Sequence, residues 1–471
     1  MKIKLGLGKT DMERIAQWCG GELYDFTSEL GCEFEYVCTD SREADENTMF
    51  VATRGERVDG HDYIIKAVEA GCRCVLCEYV PTDISGKAVA YTVVDNSIDA
   101  FADCARGYRS EKKLCSAAIT GSVGKTTTKE LTSCVMKKKF KTYSTVGNFN
   151  SVIGMPMSLM EADEESEAAV FEMGMSGFGE ISKMTRAAKP DIAMVTNIGS
   201  SHLEYLKTRE NIAKAKLEIS EGLSEGGYLL LNGDEPLLRK SFHKTPYKVL
   251  YVGIESDCDI VAKNVRVEKD STVFDLYAFG KALKDVKLSL VGRHFVYNAS
   301  FAAAVGLIMG IDGENIKEAL VSYVSVGMRQ NISDKDGITV IADCYNAAPE
   351  SMRGAMETLK AIEVSGKRIA VLGDMKELGE NSDELHRAIG EYAVKSGVNM
   401  LFTLGESGAL IAESAIRHGL GADCVFAERD GEAFTRIAEE IRSKMSSGDA
   451  ILFKASRAMR LEKVIEELFE K

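Results

Sequence analysis

The segment around residue 120 constrains this chain most. Residues 114–120 (LCSAAIT) form a compact apolar run, GSVGKTT follows at 121–127, and KELTSCVMKK continues with helical character. Strand, glycine turn and helix in that order aim main-chain N–H groups and the positive end of a helix dipole at a phosphate-sized anion. Gly121 and Gly124 let the backbone approach it without a Cβ clash. Lys125 adds a point charge, and the Thr126 hydroxyl can reach a phosphate-bound Mg²⁺. Gly121, Ser122, Val123, Gly124, Lys125, Thr126 and Thr127 are therefore the expected ATP phosphate ligands. The long Walker loop would place a glycine at position 119, which is Ile here. The loop is a short form, and generic GTPase or transporter-ATPase readings lose weight.

Such a loop needs a parallel sheet, and β-rich runs alternate with helical segments along the chain. With 471 residues the chain exceeds one hydrophobic core. The expected fold is α/β in three domains. Residues 1–97 form an N-terminal domain, 98–326 a central parallel-sheet ATPase-like domain, and 327–471 a Rossmann-like domain. The third reads as strand–helix repeats through GITVIAD, RIAVLGD, NMLFTLG and DAILFKA, ending in a helix over 461–469. A strand-rich insertion is expected over 248–292.

The net charge of -14 argues against a nucleic-acid partner, so any phosphate site must be built locally. No stretch approaches the roughly 18–20 apolar residues of a membrane span, and no leader is evident, so a cytoplasmic location is expected. Cys72, Cys74 and Cys77 lack a second cluster at metal spacing and read as a buried strand.

Three residues could serve a metal-assisted reaction. AAVFEMG puts Glu172 near the end of an apolar strand, and DIAMVTNIGSSH puts His202 just beyond the next. Ligands gather at the carboxyl ends of parallel strands, the edge the phosphate loop occupies. A carboxylate and a neutral imidazole there suit a divalent cation. In RENIAKAKLEISEGL, Ile212, Lys216, Ile219 and Leu223 share a helical stripe while Lys214 points elsewhere. A desolvated Lys216 amine could add CO₂ and become a carbamate; the bland reading is a snorkelling lysine.

Taken together, TGSVGKTT, EMG, TNIGSSH and AKAKLEI resemble the central domain of the Mur ligase family, and the resemblance runs over essentially the full chain. It implies that Thr126, Glu172, His202 and carbamylated Lys216 serve Mg²⁺ and, with Lys125, catalysis. GRHFVYNASFAAAVG implies that Asn298 contacts the nucleotide, GMRQ that Arg329 reaches the phosphates, and DCYN that Asp343 holds the ribose. Asp40-Ser41-Arg42 and Asp59-Gly60-His61 resemble the region that holds a uridine nucleotide. Ser41, Arg42, Asp59, Gly60 and His61, with Asn148 and Asn150, are the implied UDP-substrate residues.

NFNSVIGMP, DCYNAAPESM and VLGDMKELGENSDELHRAIG resemble the members that add D-alanyl-D-alanine to UDP-N-acetylmuramoyl-tripeptide, and no DNPR-like segment points to the preceding step. Tyr345 and Asn346 are the implied acceptor residues. The family commonly shows NANP, whereas this chain has Asn346-Ala347-Ala348-Pro349, placing Ala at a helix N-cap before a helix over 350–360. The implied chemistry is ATP-dependent phosphorylation of a carboxylate and attack by an amine, releasing ADP and phosphate in peptidoglycan precursor synthesis. A monomer is expected. Another Mur-type or folylpolyglutamate-type ligase and a non-catalytic nucleotide switch are the alternatives.

Overall fold

The computed structural model describes residues 1–27, 32–55, 58–82, 88–239, 245–255, 257–325 and 327–469. Val326, the last residue of the expected central domain, lies outside the described residues. Among them, no helix is long and apolar enough to cross a membrane. Three mixed sheets of six, nine and six strands follow one another along the chain.

The first sheet has the order Lys2–Lys4, Tyr36–Cys38, Thr48–Val51, Cys74–Cys77, Ala90–Val93, Glu22–Asp25. Its four inner strands are parallel and its edges antiparallel. Thr48–Val51 and Cys74–Cys77 are buried at every position, as strands covered on both faces should be. Cys72, Cys74 and Cys77 are buried thiols, and desolvation pushes Cys72 up to about 11 and Cys77 up to about 12. Asn96 caps the next helix, Ser97–Ser110, by accepting the Asp99 N–H at 3.0 Å.

The central sheet runs Thr142–Ser144, Ala168–Glu172, Cys115–Thr120, Ile192–Val195, Tyr228–Asn232, Lys248–Gly253, Ile260–Val267, Thr272–Ala278, Lys281–Leu288. The chain leaves Cys115–Thr120, builds two strands on one side, then crosses to the other. That switch point opens a crevice at the carboxyl end of Cys115–Thr120, where the phosphate loop lies. The strand-rich stretch over 248–292 is continuous with this sheet. Its first strand pairs in parallel with Tyr228–Asn232, and its last three form an antiparallel meander. Helix Phe295–Ile308 is apolar almost all round and correspondingly buried, backing the phosphate-loop helix Lys125–Met136.

The third sheet has the order Asn331–Lys335, Ile338–Ala342, Ala450–Lys454, Arg368–Gly373, Met400–Leu404, Val425–Glu428. All pairs are parallel except the first hairpin. The four strands expected from sequence form its middle. The two edge strands are short and polar or half-exposed, so they carry weak patterning. The last helix, Glu462–Phe469, matches its expected place.

Candidate active site

The phosphate loop is braced by the end of the neighbouring strand. Thr196 Oγ1 donates to Val123 O at 2.8 Å, Val123 N–H donates to Asn197 Oδ1 at 2.9 Å, and Gly199 N–H donates to Ser122 Oγ at 2.8 Å. A Cβ on Gly121 would stand 1.8 Å from Thr196 Oγ1, so only glycine fits. Gly124 begins the helix at φ 81°, a left-handed conformation that glycine adopts without strain. Asn298, a polar residue of the largely apolar helix, donates to Gly124 O at 3.1 Å and to Thr128 Oγ1 at 2.8 Å. It therefore holds the loop from behind as well as lining the cavity in front.

That cavity measures about 590 Å³. The loop residues 122–127, Glu172, His202, Asn298, Arg329, Asp343, Tyr345 and Asn346 all line it, so the structure brings most of the expected site together. Lys125 Nζ donates to Gly121 O at 2.8 Å. Burial lowers its ammonium below the usual lysine range; Glu172 and Glu377 oppose this and Arg329 adds to it.

Glu172 is buried at 3% exposure with neutral partners. Thr126 Oγ1 donates to its Oε2 at 2.8 Å and Asn150 Nδ2 to its Oε1 at 2.9 Å. Its direct hydrogen-bond donors are neutral, with the Lys125 charge nearby but not paired to it, which fits a cation at this position. Among the described residues, no three His, Cys, Asp or Glu side chains cluster as a ready-made metal site. A cation here would take its remaining ligands from phosphate oxygens and water, as Mg²⁺ commonly does.

His202 has φ 66°, uncommon for a residue with a Cβ. Its Nδ1 lies 2.7 Å from Glu377 Oε2, but obliquely, so the buried Nδ1 lacks a well-aligned hydrogen bond. Lys216 is 1% exposed on the expected stripe with buried Ile212 and Ile219, and Lys214 is exposed. Among the described residues, no carboxylate pairs with Lys216. Burial, reinforced by the Lys125 charge, lowers its amine well below the usual range. It is not among the residues that line the cavity.

The third sheet supplies the opposite wall. The Arg329 guanidinium stacks 3.9 Å from the centre of the Tyr345 ring. Asp343 and Lys454 follow one another across paired parallel strands, and Lys454 Nζ donates to Asp343 Oδ2 at 2.7 Å and to Asn346 O at 3.0 Å. Asn346 Oδ1 accepts the Ala347 N–H at 2.9 Å. Ala348 is the N-cap of helix Pro349–Ala361. Ser351 Oγ accepts the Ala348 N–H at 3.0 Å, but Ala348 has no side-chain acceptor to return. Ser200 Oγ donates to Glu350 Oε1 at 2.9 Å across the two sheets' elements.

Lys454, Glu377, Glu350 and Asn197 were not singled out from sequence. A lysine ending the apolar run DAILFKA was a readable signal for Lys454; the others carry none outside their tertiary setting.

The N-terminal residues lie away from this cavity. Arg42 is exposed and its Nε donates to Asp40 Oδ1 at 2.9 Å. Ser41 is buried in the same turn. Gly60 fits where a Cβ would come 2.8 Å from the Thr53 backbone. His61 is occupied at both nitrogens: Nδ1 is 2.6 Å from Asp59 Oδ1, and Nε2 accepts the Glu78 N–H at 3.0 Å. It braces the region. Asn148 is exposed, while Asn150 sits on Glu172 rather than in this N-terminal group.

A phosphate loop at a sheet switch point, faced by charged groups from a second parallel sheet, defines a nucleotide-dependent enzyme whose site is shared between domains. The chain belongs to the Mur ligase family. Family models match in three blocks: "Mur ligase family, catalytic domain" over residues 33–109, "Mur ligase middle domain" over 119–306, and "Mur ligase, glutamate ligase domain" over 328–457. The UDP-N-acetylmuramoyl-tripeptide--D-alanyl-D-alanine ligase of Bacillus subtilis (strain 168) is 37% identical over 439 residues, covering 92% of this chain and 93% of that protein. The crystal structure of MurF from Acinetobacter baumannii aligns with a TM-score of 0.88 at 28% identity, covering 99% of this chain and 100% of that one. MurF ligase from Thermotoga maritima in complex with ADP gives 0.79 at 31% identity, covering 92% and 96%.

Proposed function

We propose that this chain joins D-alanyl-D-alanine to UDP-N-acetylmuramoyl-tripeptide at the expense of ATP, in peptidoglycan precursor synthesis. The observation that carries the reading is the shared cavity, where Arg329, Asp343 and Lys454 of the third sheet face Lys125, Thr126 and Glu172 of the central one. The chain divides as 1–97, 98–326 and 327–471, binding the UDP-substrate, ATP and the acceptor-side elements respectively. It acts as a monomer in the cytoplasm.

A carboxylate is a poor electrophile, and phosphorylation supplies its leaving group. Residues 121–127 cradle the ATP phosphates, Asn298 holds the loop and meets the nucleotide, and Asp343, fixed by Lys454, takes the ribose. Lys125 and Arg329 carry positive charge to the transferring phosphoryl group from two domains, so the clamp is complete only when they meet. Mg²⁺ held by Thr126 and Glu172, with His202, would neutralise phosphate charge. Lys216 has the desolvated amine, lowered well below the usual range, that carbamylation requires; as a carbamate it would add an anion near the Lys125 charge. Ser41, Arg42, Asp59 and Gly60, braced by His61, hold the uridine end, with Asn148 and Asn150 along the path to the acyl group. Tyr345 and Asn346 face the dipeptide. The amine attacks the acyl phosphate through a tetrahedral intermediate, expelling phosphate.

Phosphate release measured with and without each substrate tests this. Release should require both the UDP-muramoyl tripeptide and D-Ala-D-Ala. Better turnover with free L-amino acids would favour another Mur-type ligase, better turnover with folates and glutamate a folylpolyglutamate type. Acceptor-independent hydrolysis would favour a nucleotide switch.

A further inference from the structure

Glu377 reaches the central domain from a loop of the third. It stands at φ 65° after the strand Arg368–Gly373. Buried His386 pins the loop: Nε2 accepts the Met375 N–H at 2.9 Å and Nδ1 lies 2.7 Å from Ser382 O. Glu377 O accepts the Glu204 N–H at 3.2 Å, and a Cβ on Gly379 would stand 3.0 Å from Glu204 Cα. The two backbones are therefore docked closely, and the Glu377 carboxylate is delivered with Oε2 2.7 Å from His202 Nδ1.

We propose that Glu377 is a positioning residue that holds the Nδ1 proton of His202, leaving Nε2 as the lone-pair donor, so that the cation-binding form of His202 is completed only when the third domain docks. This rests on the reading of His202 as a cation ligand. A neutral imidazole binds metal through one nitrogen only when the other carries the proton, and a carboxylate on that second nitrogen fixes the tautomer and ring orientation. The oblique contact is of the kind that aligns on ligand binding. His202 and Glu377 are 175 residues apart and lie on different sheets' loops, so their contact reports docking directly.

The test is Mn²⁺ binding in the presence of ADP, read by the paramagnetic signal of free Mn²⁺, for the native chain, Glu377→Gln, His202→Ala and the double variant. Glu377→Gln should weaken Mn²⁺ binding by roughly 10–100-fold and add nothing in the His202→Ala background. Imidazole ¹⁵N spectra, with His202 assigned among six histidines by its loss in His202→Ala, should show the Nδ1-protonated form in the native chain and a mixture in Glu377→Gln. Native affinity and tautomer in Glu377→Gln would overturn the proposal, as would an undiminished further loss in the double variant, which would mean that Glu377 acts only on docking. Unchanged Mn²⁺ binding in His202→Ala would instead overturn the cation-ligand reading itself.

Discussion

Thr126 Oγ1 donates to Glu172 Oε2 at 2.8 Å, tying the first turn of the phosphate-loop helix to the end of the adjacent strand. The register makes this contact, because Glu172 pairs with Ile119, two residues before the loop begins. Glu172→Gln keeps the shape and removes the charge. Turnover should fall by about 10²-fold or more, with little change in unfolding temperature because the amide oxygen still accepts from Asn150 Nδ2 and the Thr126 hydroxyl can turn to accept from the new amide N–H. Phosphate release at saturating substrates and varied Mg²⁺ checks it; native turnover in the variant would remove Glu172 from the site.

Lys216 couples function to stability. Its amine titrates well below an ordinary lysine, from burial and then the Lys125 charge. Between that depressed value and the unfolded value of about 10.4, the unfolded chain holds a proton that the folded chain lacks, so stability rises with pH across this window. In CO₂-free buffer, Lys216→Met should melt higher than the native chain, most below the folded value. The gap should shrink through the window and close above it. A gap constant from neutral to alkaline pH would refute the shift.

Carbamylation makes a separate prediction. Lys216→Ala should lose activity, and small carboxylates should restore part of it. Full activity of that variant without additives would sink the carbamate.

The Asp343–Lys454 pair should be worth more intact than broken. Lys454 is 2% exposed, so Lys454→Met leaves Asp343 without its cation. The cost should reach up to about 3 kcal/mol, below the figure for a fully buried pair because Asp343 keeps some solvent contact. Urea unfolding measures it, and ADP affinity should fall in parallel if Asp343 holds the ribose.

Ala348 leaves a helix uncapped on its side-chain face. Its backbone, φ -141° and ψ 158°, already suits an N-cap. Ala348→Asn should therefore add about 1 kcal/mol of stability, visible in denaturant unfolding. The same variant should change KM for D-Ala-D-Ala more than KM for ATP if residue 348 faces the acceptor.

What could be read along the chain was what local periodicity and spacing express. The apolar run ending at Thr120, the glycines at 121 and 124, the strand-end place of Glu172 and the apolar stripe holding Lys216 each need only a few neighbouring residues to be recognised. They yielded the three α/β sheets and the central half of the site. The tertiary structure alone decided which partners hold the site residues in place. Glu377 meets His202, Lys454 meets Asp343 and Asn197 meets Val123 through sheet order and domain docking, contacts that no local pattern encodes. It also decided that His61 is spent on Asp59 and Glu78, and that Asn150 serves Glu172. A side chain's hydrogen-bond partners depend on which backbone folds beside it, and that is set by the burial of apolar surface over the whole chain rather than by the motif in which the residue sits.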